Sequence, residues 1–221
     1  MIEPAFATVI LDVDSTVSGV EGIDWLAARR GPDVARKVSE LTDRAMRGEI
    51  MLEAVYGERL ALVRPSATEL EALGQEYVSR VAPGCVEAIA RLRGAGVIVK
   101  LVSGGLASAI APLAAFVGLG VEDLVAVDVT LDAEGNFVSF DASSPLSTAD
   151  GKREVDELLM RSSSVVSPIL AVGDGSTDLA MRPVVDSFVC FTGFTRRDAI
   201  VRGADASVAT FDELLRLVFS R

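Results

Sequence analysis

The chain has 221 residues, with 32 acidic side chains against 21 basic ones, a formal net charge of -11, and no histidine. The missing imidazole excludes Ser-His-Asp and Cys-His nucleophile pairs and any metal site built on histidine, so acid-base work falls to carboxylates, Lys, Tyr or Cys. The negative charge argues against nucleic acid or an anionic membrane as the main partner, while the length allows one full core and a small second lobe.

Met1-Ile2-Glu3-Pro4 lacks the basic and apolar runs of a secretory leader, and Cys85 and Cys190 lie far apart in apolar settings. Both features lead us to expect a cytoplasmic protein with buried, reduced thiols. Ala7 to Leu11 is the first apolar run of strand length. From about Gly22 to Val81 no strand pattern occurs. Val34, Val38, Leu41 and Ala45 repeat at helical spacing, as do Leu70, Leu73 and Tyr77, and Ser66 with Glu69 forms a capping box ahead of the latter. This reads as a helical insert with joints at Ser18-Gly19 and Ala82-Pro83-Gly84.

Val97 to Val102 resumes the strand pattern. Leu101 to Val121 carries no charge and has the length of a membrane span, but Ser103-Gly104-Gly105, Ser108 and Pro112 divide it into strand, glycine turn and helix. Leu124 to Phe140 reads as a hairpin turning at Glu134-Gly135-Asn136, and Ile169 to Val172 and Ser187 to Phe191 read as further buried strands. The alternation predicts an α/β fold: a Rossmann-like, doubly wound, mostly parallel sheet, with a small helical cap inserted after the first strand. The expected division is a core of residues 1–18 and 82–221 and a cap of residues 19–81.

Ligands of open α/β sheets bind at the carboxyl ends of strands, and four chemically marked segments fall there. The first strand ends in Asp12-Val13-Asp14-Ser15-Thr16, a carboxylate pair. The second runs into Ser103-Gly104-Gly105, whose amides suit a phosphate. Lys152 opens a helical pattern reaching Met160, where a cation opposes the helix dipole. Gly173-Asp174-Gly175-Ser176-Thr177-Asp178 follows the third strand with a second carboxylate pair. Each alone also suits an ordinary turn or surface charge. Converging carboxylates, however, repel unless a cation compensates, and all-oxygen ligands beside phosphate point to magnesium.

In order and type these segments resemble the haloacid-dehalogenase superfamily, with its DxDx[TV] nucleophile motif, its Ser or Thr, its Lys and its GDxxxD. The resemblance spans essentially the whole chain. It narrows to the phosphoserine phosphatase family through Glu21-Gly22-Ile23-Asp24, Arg44-Ala45-Met46 and Glu58-Arg59-Leu60-Ala61-Leu62. The resemblance implies Asp12 as nucleophile, Asp14 as general acid/base, and Mg2+ held by Asp12, Asp174 and the Asp14 carbonyl, with Asp178 behind them. It implies that Ser103, Gly104, Gly105, Lys152 and Thr177 meet the phosphate, and that Glu21, Met46 and Arg59 meet an amino-acid moiety, with Arg197 nearby. The chain departs from many relatives at Val20, where they carry an acid, and at Thr177, where they carry Asn. The expected activity is hydrolysis of O-phospho-L-serine, the last step of serine biosynthesis. The alternative is the same chemistry on another small phosphomonoester, or phosphotransfer to an alcohol such as homoserine.

Overall fold

A computed structural model describes residues 3–46, 50 and 52–219. Its centre is a six-stranded, all-parallel sheet of β1 (Thr8–Leu11), β2 (Ile98–Leu106), β3 (Leu124–Val127), β6 (Ile169–Gly173), β7 (Ser187–Phe191) and β8 (Ala206–Val208), in the order β3-β2-β1-β6-β7-β8. All of β1 and β6 is buried, which is why these strands read as unbroken apolar runs rather than alternating ones. The chain moves outward from β1 to β3 and then crosses to β6. The order therefore reverses beside β1, where ligands of such sheets bind.

Helices α1 (Gly22–Arg29), α2 (Pro32–Met46), α3 (Leu52–Val63) and α4 (Ala67–Ser79) fill the stretch between β1 and β2. The expected capping box is present: Ser66 Oγ accepts from the Glu69 N–H, and the Glu69 carboxylate accepts from the Ser66 N–H. The two joints run side by side, with Gly19 N–H donating to Arg80 C=O at 3.0 Å and Ala82 N–H to Val17 C=O at 2.9 Å. The remaining helices are α5 (Cys85–Gly94), α6 (Ala107–Phe116), α7 (Gly151–Arg161), α8 (Ser176–Leu179), α9 (Asp198–Gly203) and α10 (Phe211–Val218). Helix α4 lies against α6, where Gly74 faces Pro112 and the Ala109 carbonyl. Both cysteines are free and buried, and no helix among the described residues is long and apolar enough to cross a membrane.

Two expectations need correction. Leu124 to Phe140 is not one hairpin: its first four residues form β3 of the main sheet, and only β4 (Val129–Leu131) and β5 (Phe137–Phe140) pair antiparallel around the expected turn. Nor does the strand stop at Ser103. β2 continues through Gly104 and Gly105 to Leu106, with its register to β3 shifting after Val102, so the anion segment is the irregular end of a strand.

Candidate active site

Strand register sets the height of the chemical groups. Leu11 pairs with Leu101 on one side and Val172 on the other, so Asp12 stands level with Val102 and Gly173, one residue before Ser103 and Asp174. Its N–H donates to the Val172 carbonyl at 2.9 Å. Three residues after Asp12 the chain turns sharply at Ser15, whose φ of 54° is unusual for a residue with a side chain. The Ser15 hydroxyl donates to Glu21 at 2.7 Å, tying this turn to the start of α1.

Lys152, near the start of α7, donates to Asp12 and, at 2.5 Å, to Asp178. These are among the least exposed charges of the protein: Asp12 is 6%, Lys152 5% and Asp178 1% exposed. Burial pulls the ammonium down, but Asp12 and Asp178 together hold it above its ordinary value. Two carboxylates thus compensate a lysine that the helix dipole disfavours. Asp178 also accepts from the Gly175 N–H at 2.8 Å. It can approach the strand end because a methyl at Gly173 would overlap its carboxyl.

Asp12, Asp174 and Asp178 each present an oxygen within 4.8 Å of the others. Arg197 lies against the Asp174 carboxylate, its Nη1 in ion-pair contact with Oδ2, and donates to the Asp174 main-chain carbonyl at 3.3 Å. Burial and Asp178 push the Asp12 carboxyl well up, further than Lys152 pulls it down. A buried cluster of three carboxylates against the two cations Lys152 and Arg197 is chemically suited to a metal ion. By this grouping Asp178 stands among the potential ligands, where the resemblance puts it behind them.

The Asp14 side chain turns away from that cluster, toward the helices. Its Oδ1 accepts from the Tyr77 hydroxyl at 2.6 Å and its Oδ2 from the Gly22 N–H at 3.1 Å. Burial, and then the neighbouring Glu21, raise its carboxyl to about 7 against the pull of those donors. Asp156, one helical turn after Lys152, is fully buried with neither oxygen hydrogen-bonded, and burial raises it to about 7 as well.

The helices form the opposite wall. Arg59 of α3 donates to Asp24 at 3.2 Å, while its Nε is buried without a partner. One turn earlier Tyr56 donates to the Gly104 carbonyl at 2.8 Å, its ring packed on Phe140 at 5.4 Å. The cavity between the two walls, about 190 Å³, has the size of a small molecule. It brings together Asp12, Asp14, Glu21, Arg59, Ser103, Gly104, Gly105, Lys152, Asp174, Thr177 and Arg197, as well as Asp178. The side chain of Met46 lies outside the described residues. Tyr56 and Thr148 line the cavity without having been singled out from sequence, and the Thr148 hydroxyl is buried without a partner. From its spacing alone Tyr77 is a core position. A tyrosine in a buried helical stripe needs a partner for its hydroxyl, and that was the available signal.

Residues 9–182 match the haloacid dehalogenase-like hydrolase family. A human phosphoserine phosphatase is 35% identical over 207 residues, covering 94% of this chain and 91% of the relative. A chloroplastic phosphoserine phosphatase from Arabidopsis thaliana is 34% identical over 209 residues, covering 94% of this chain and 70% of the relative. The chain belongs to the phosphoserine phosphatase family of haloacid dehalogenase-like hydrolases. The family fold is equally clear in a phosphoserine phosphohydrolase-like protein from Francisella tularensis, which superposes with a TM-score of 0.83 at 21% identity over 96% of this chain and 99% of that one. As a phosphoserine phosphatase family member, the chain is an enzyme of the phosphatase class, with its acidic cluster at the carboxyl edge of a parallel sheet.

Proposed function

We propose that this chain hydrolyses O-phospho-L-serine to L-serine and inorganic phosphate with Mg2+ as cofactor, as the last step of serine biosynthesis in the cytoplasm. The observation that carries this reading is the buried line Asp12–Lys152–Asp178 beside Asp174, faced across the cavity by Arg59 and Glu21. Asp12 and Asp174, with the Asp14 carbonyl, would hold the Mg2+, which when bound offsets carboxylate charge and draws electron density from phosphate oxygens.

Asp12 attacks phosphorus: a bond forms from its carboxylate oxygen as the ester bond to serine breaks, and Asp14 gives its proton to the departing serine oxygen. Water then attacks the phosphoryl group on Asp12. Asp14 takes a proton from that water, and the Asp12–phosphorus bond breaks to release phosphate. Lys152, Ser103 and the amides of Gly104 and Gly105 supply donors for the transferring oxygens, with Thr177 beside them. Arg59, with its unsatisfied Nε, suits the substrate carboxylate, and Glu21 its ammonium; Met46 and Arg197 complete the amino-acid side. Residues 19–81 act as a cap over a core formed by 1–18 and 82–221, a division supported by the paired joints at Ser18 and Val81.

The test is phosphate release from a panel of small phosphomonoesters, with Mg2+ and with chelator, for the wild type and Asp12→Asn. Phosphoserine should be the preferred substrate, chelator should abolish turnover, and Asp12→Asn should lose at least about 10³-fold in kcat. An active Asp12→Asn enzyme would sink the mechanism. Phosphohomoserine formed when homoserine is added would redirect the reading to phosphotransfer.

A further inference from the structure

Tyr77 has no exposed surface, and its spacing after Leu70 and Leu73 makes it part of the buried stripe of α4. Its hydroxyl nevertheless leaves the apolar layer and donates to Asp14 Oδ1 at 2.6 Å. Space for that hydroxyl comes from two backbone sites without side chains: a methyl on Gly22 would overlap it, and one on Gly105 would touch it at 3.5 Å. Gly22 contributes again, because its N–H donates to Asp14 Oδ2 at 3.1 Å. The tyrosine is anchored from behind, its carbonyl accepting the Ser18 hydroxyl at 2.9 Å.

We propose that Tyr77 is a positioning residue for Asp14, holding from the helical segment the carboxyl that exchanges protons with the leaving oxygen and then with water. The inference rests on the acid–base reading of Asp14 given above. A carboxyl offers about four lone-pair directions. One donor on each oxygen fixes its plane and leaves the other directions for the transferred proton. Rotation about the Cβ–Cγ bond breaks both contacts at once. Serine is a poor leaving group without a proton, so a misaligned carboxyl raises the barrier for an ester whose leaving oxygen needs that proton and spares one whose leaving oxygen departs as a stable anion.

The experiment compares Tyr77→Phe with wild type on two substrates. With phosphoserine, kcat should fall about 10- to 100-fold with KM held within about twofold. With p-nitrophenyl phosphate, whose phenolate departs without a proton, the first-turnover burst of p-nitrophenol should be unchanged. In an Asp14→Asn background the same substitution should add less than about a twofold loss, because its effect passes through that carboxyl. Wild-type kcat in folded Tyr77→Phe, a p-nitrophenol burst slowed as much as phosphoserine turnover, or a full additional loss in the Asp14→Asn background would each overturn the proposal. Should Tyr77→Phe fail to fold, Gly22→Ala, which crowds the hydroxyl, must show the same split, and its absence overturns the proposal. If Asp14→Asn itself turns over phosphoserine normally, the acid–base reading falls and this inference with it. If Asp14→Asn shows the split and Tyr77→Phe does not, the Tyr77 inference alone falls.

Discussion

The two walls of the cavity handle charge in different ways. At the sheet edge, Lys152, Asp12 and Asp178 are almost wholly buried and meet in fixed contacts whose positions follow from strand register. Across from them, Arg59 meets an Asp24 that is 44% exposed, and Glu21 is 46% exposed with Arg197 3.9 Å away. A dry, pre-arranged set of charges suits bond-making, because its donors need no reorganisation as charge develops. A partly wet wall of long side chains suits recognition, where groups must release water and close on a substrate.

The largest expected effect follows from removing the cation at the buried wall. Lys152→Met leaves Asp12 and Asp178 facing each other without an ammonium, and breaking a buried pair in this way costs about 3–5 kcal/mol. In the presence of chelator, urea unfolding of Lys152→Met should show a loss of that order as well as lost turnover. An unchanged midpoint would mean that the buried wall is no more demanding than the wet one.

Arg59→Met should behave in the opposite manner. Its ion pair is partly solvated, so stability should change by about 1 kcal/mol or less, while kcat/KM for phosphoserine falls about 10- to 100-fold through lost carboxylate binding. Phosphoethanolamine, which lacks the carboxylate, is the control. Its kcat/KM should barely respond to Arg59→Met, and a parallel loss on both substrates would show that Arg59 shapes the fold rather than the specificity.

Most of the buried wall was legible in the sequence, because buried parallel strands appear as apolar runs and the acids and glycines mark where those runs end. Less was legible where one residue serves two neighbours. Asp128 lies inside what reads as one strand, yet the chain changes sheets there. β8 is only Ala206–Val208, too short for periodicity to register. Ser103-Gly104-Gly105 looks like a turn because glycine favours one, but it carries β2 across an irregularity in its register to β3, and pairing resumes at Leu106. Asp156 sits among Glu154, Glu157 and Arg153 on an amphipathic helix, and only the fold reveals that it faces inward behind Lys152. Tyr77 was hidden for the converse reason: its ring obeys the helical period while its hydroxyl serves Asp14.

The pH dependence of stability is the most direct test of the contrast, because the two regions respond to acid with opposite sign. In the folded, metal-free protein Asp14 and Asp156 are raised to about 7 from 3.8, so between those values the folded state binds more protons than the unfolded one. Their contribution to stability therefore grows as pH falls from about 7 to about 4, by at most about 1.4 kcal/mol per pH unit for each carboxyl. Among the helices, Glu69 is lowered to about 2 from 4.5, chiefly by hydrogen bonds from Arg30, whose guanidinium also caps the Val63 and Arg64 carbonyls. There the unfolded state binds more protons, so stability is lost as pH falls from about 4.5 to about 2. Urea midpoints in chelator should thus rise from about pH 8 to about pH 5.5, while the advantage of the wild type over Glu69→Gln should shrink from about pH 5.5 to about pH 3. Asp156→Asn should flatten the first limb. Glu69→Gln should cost about 1 kcal/mol at neutral pH, since the Arg30 and Glu69 side chains are 28% and 23% exposed and water screens their attraction. A single monotonic rise from about pH 3 to about pH 8 would show that the buried carboxyls carry no strain from their burial.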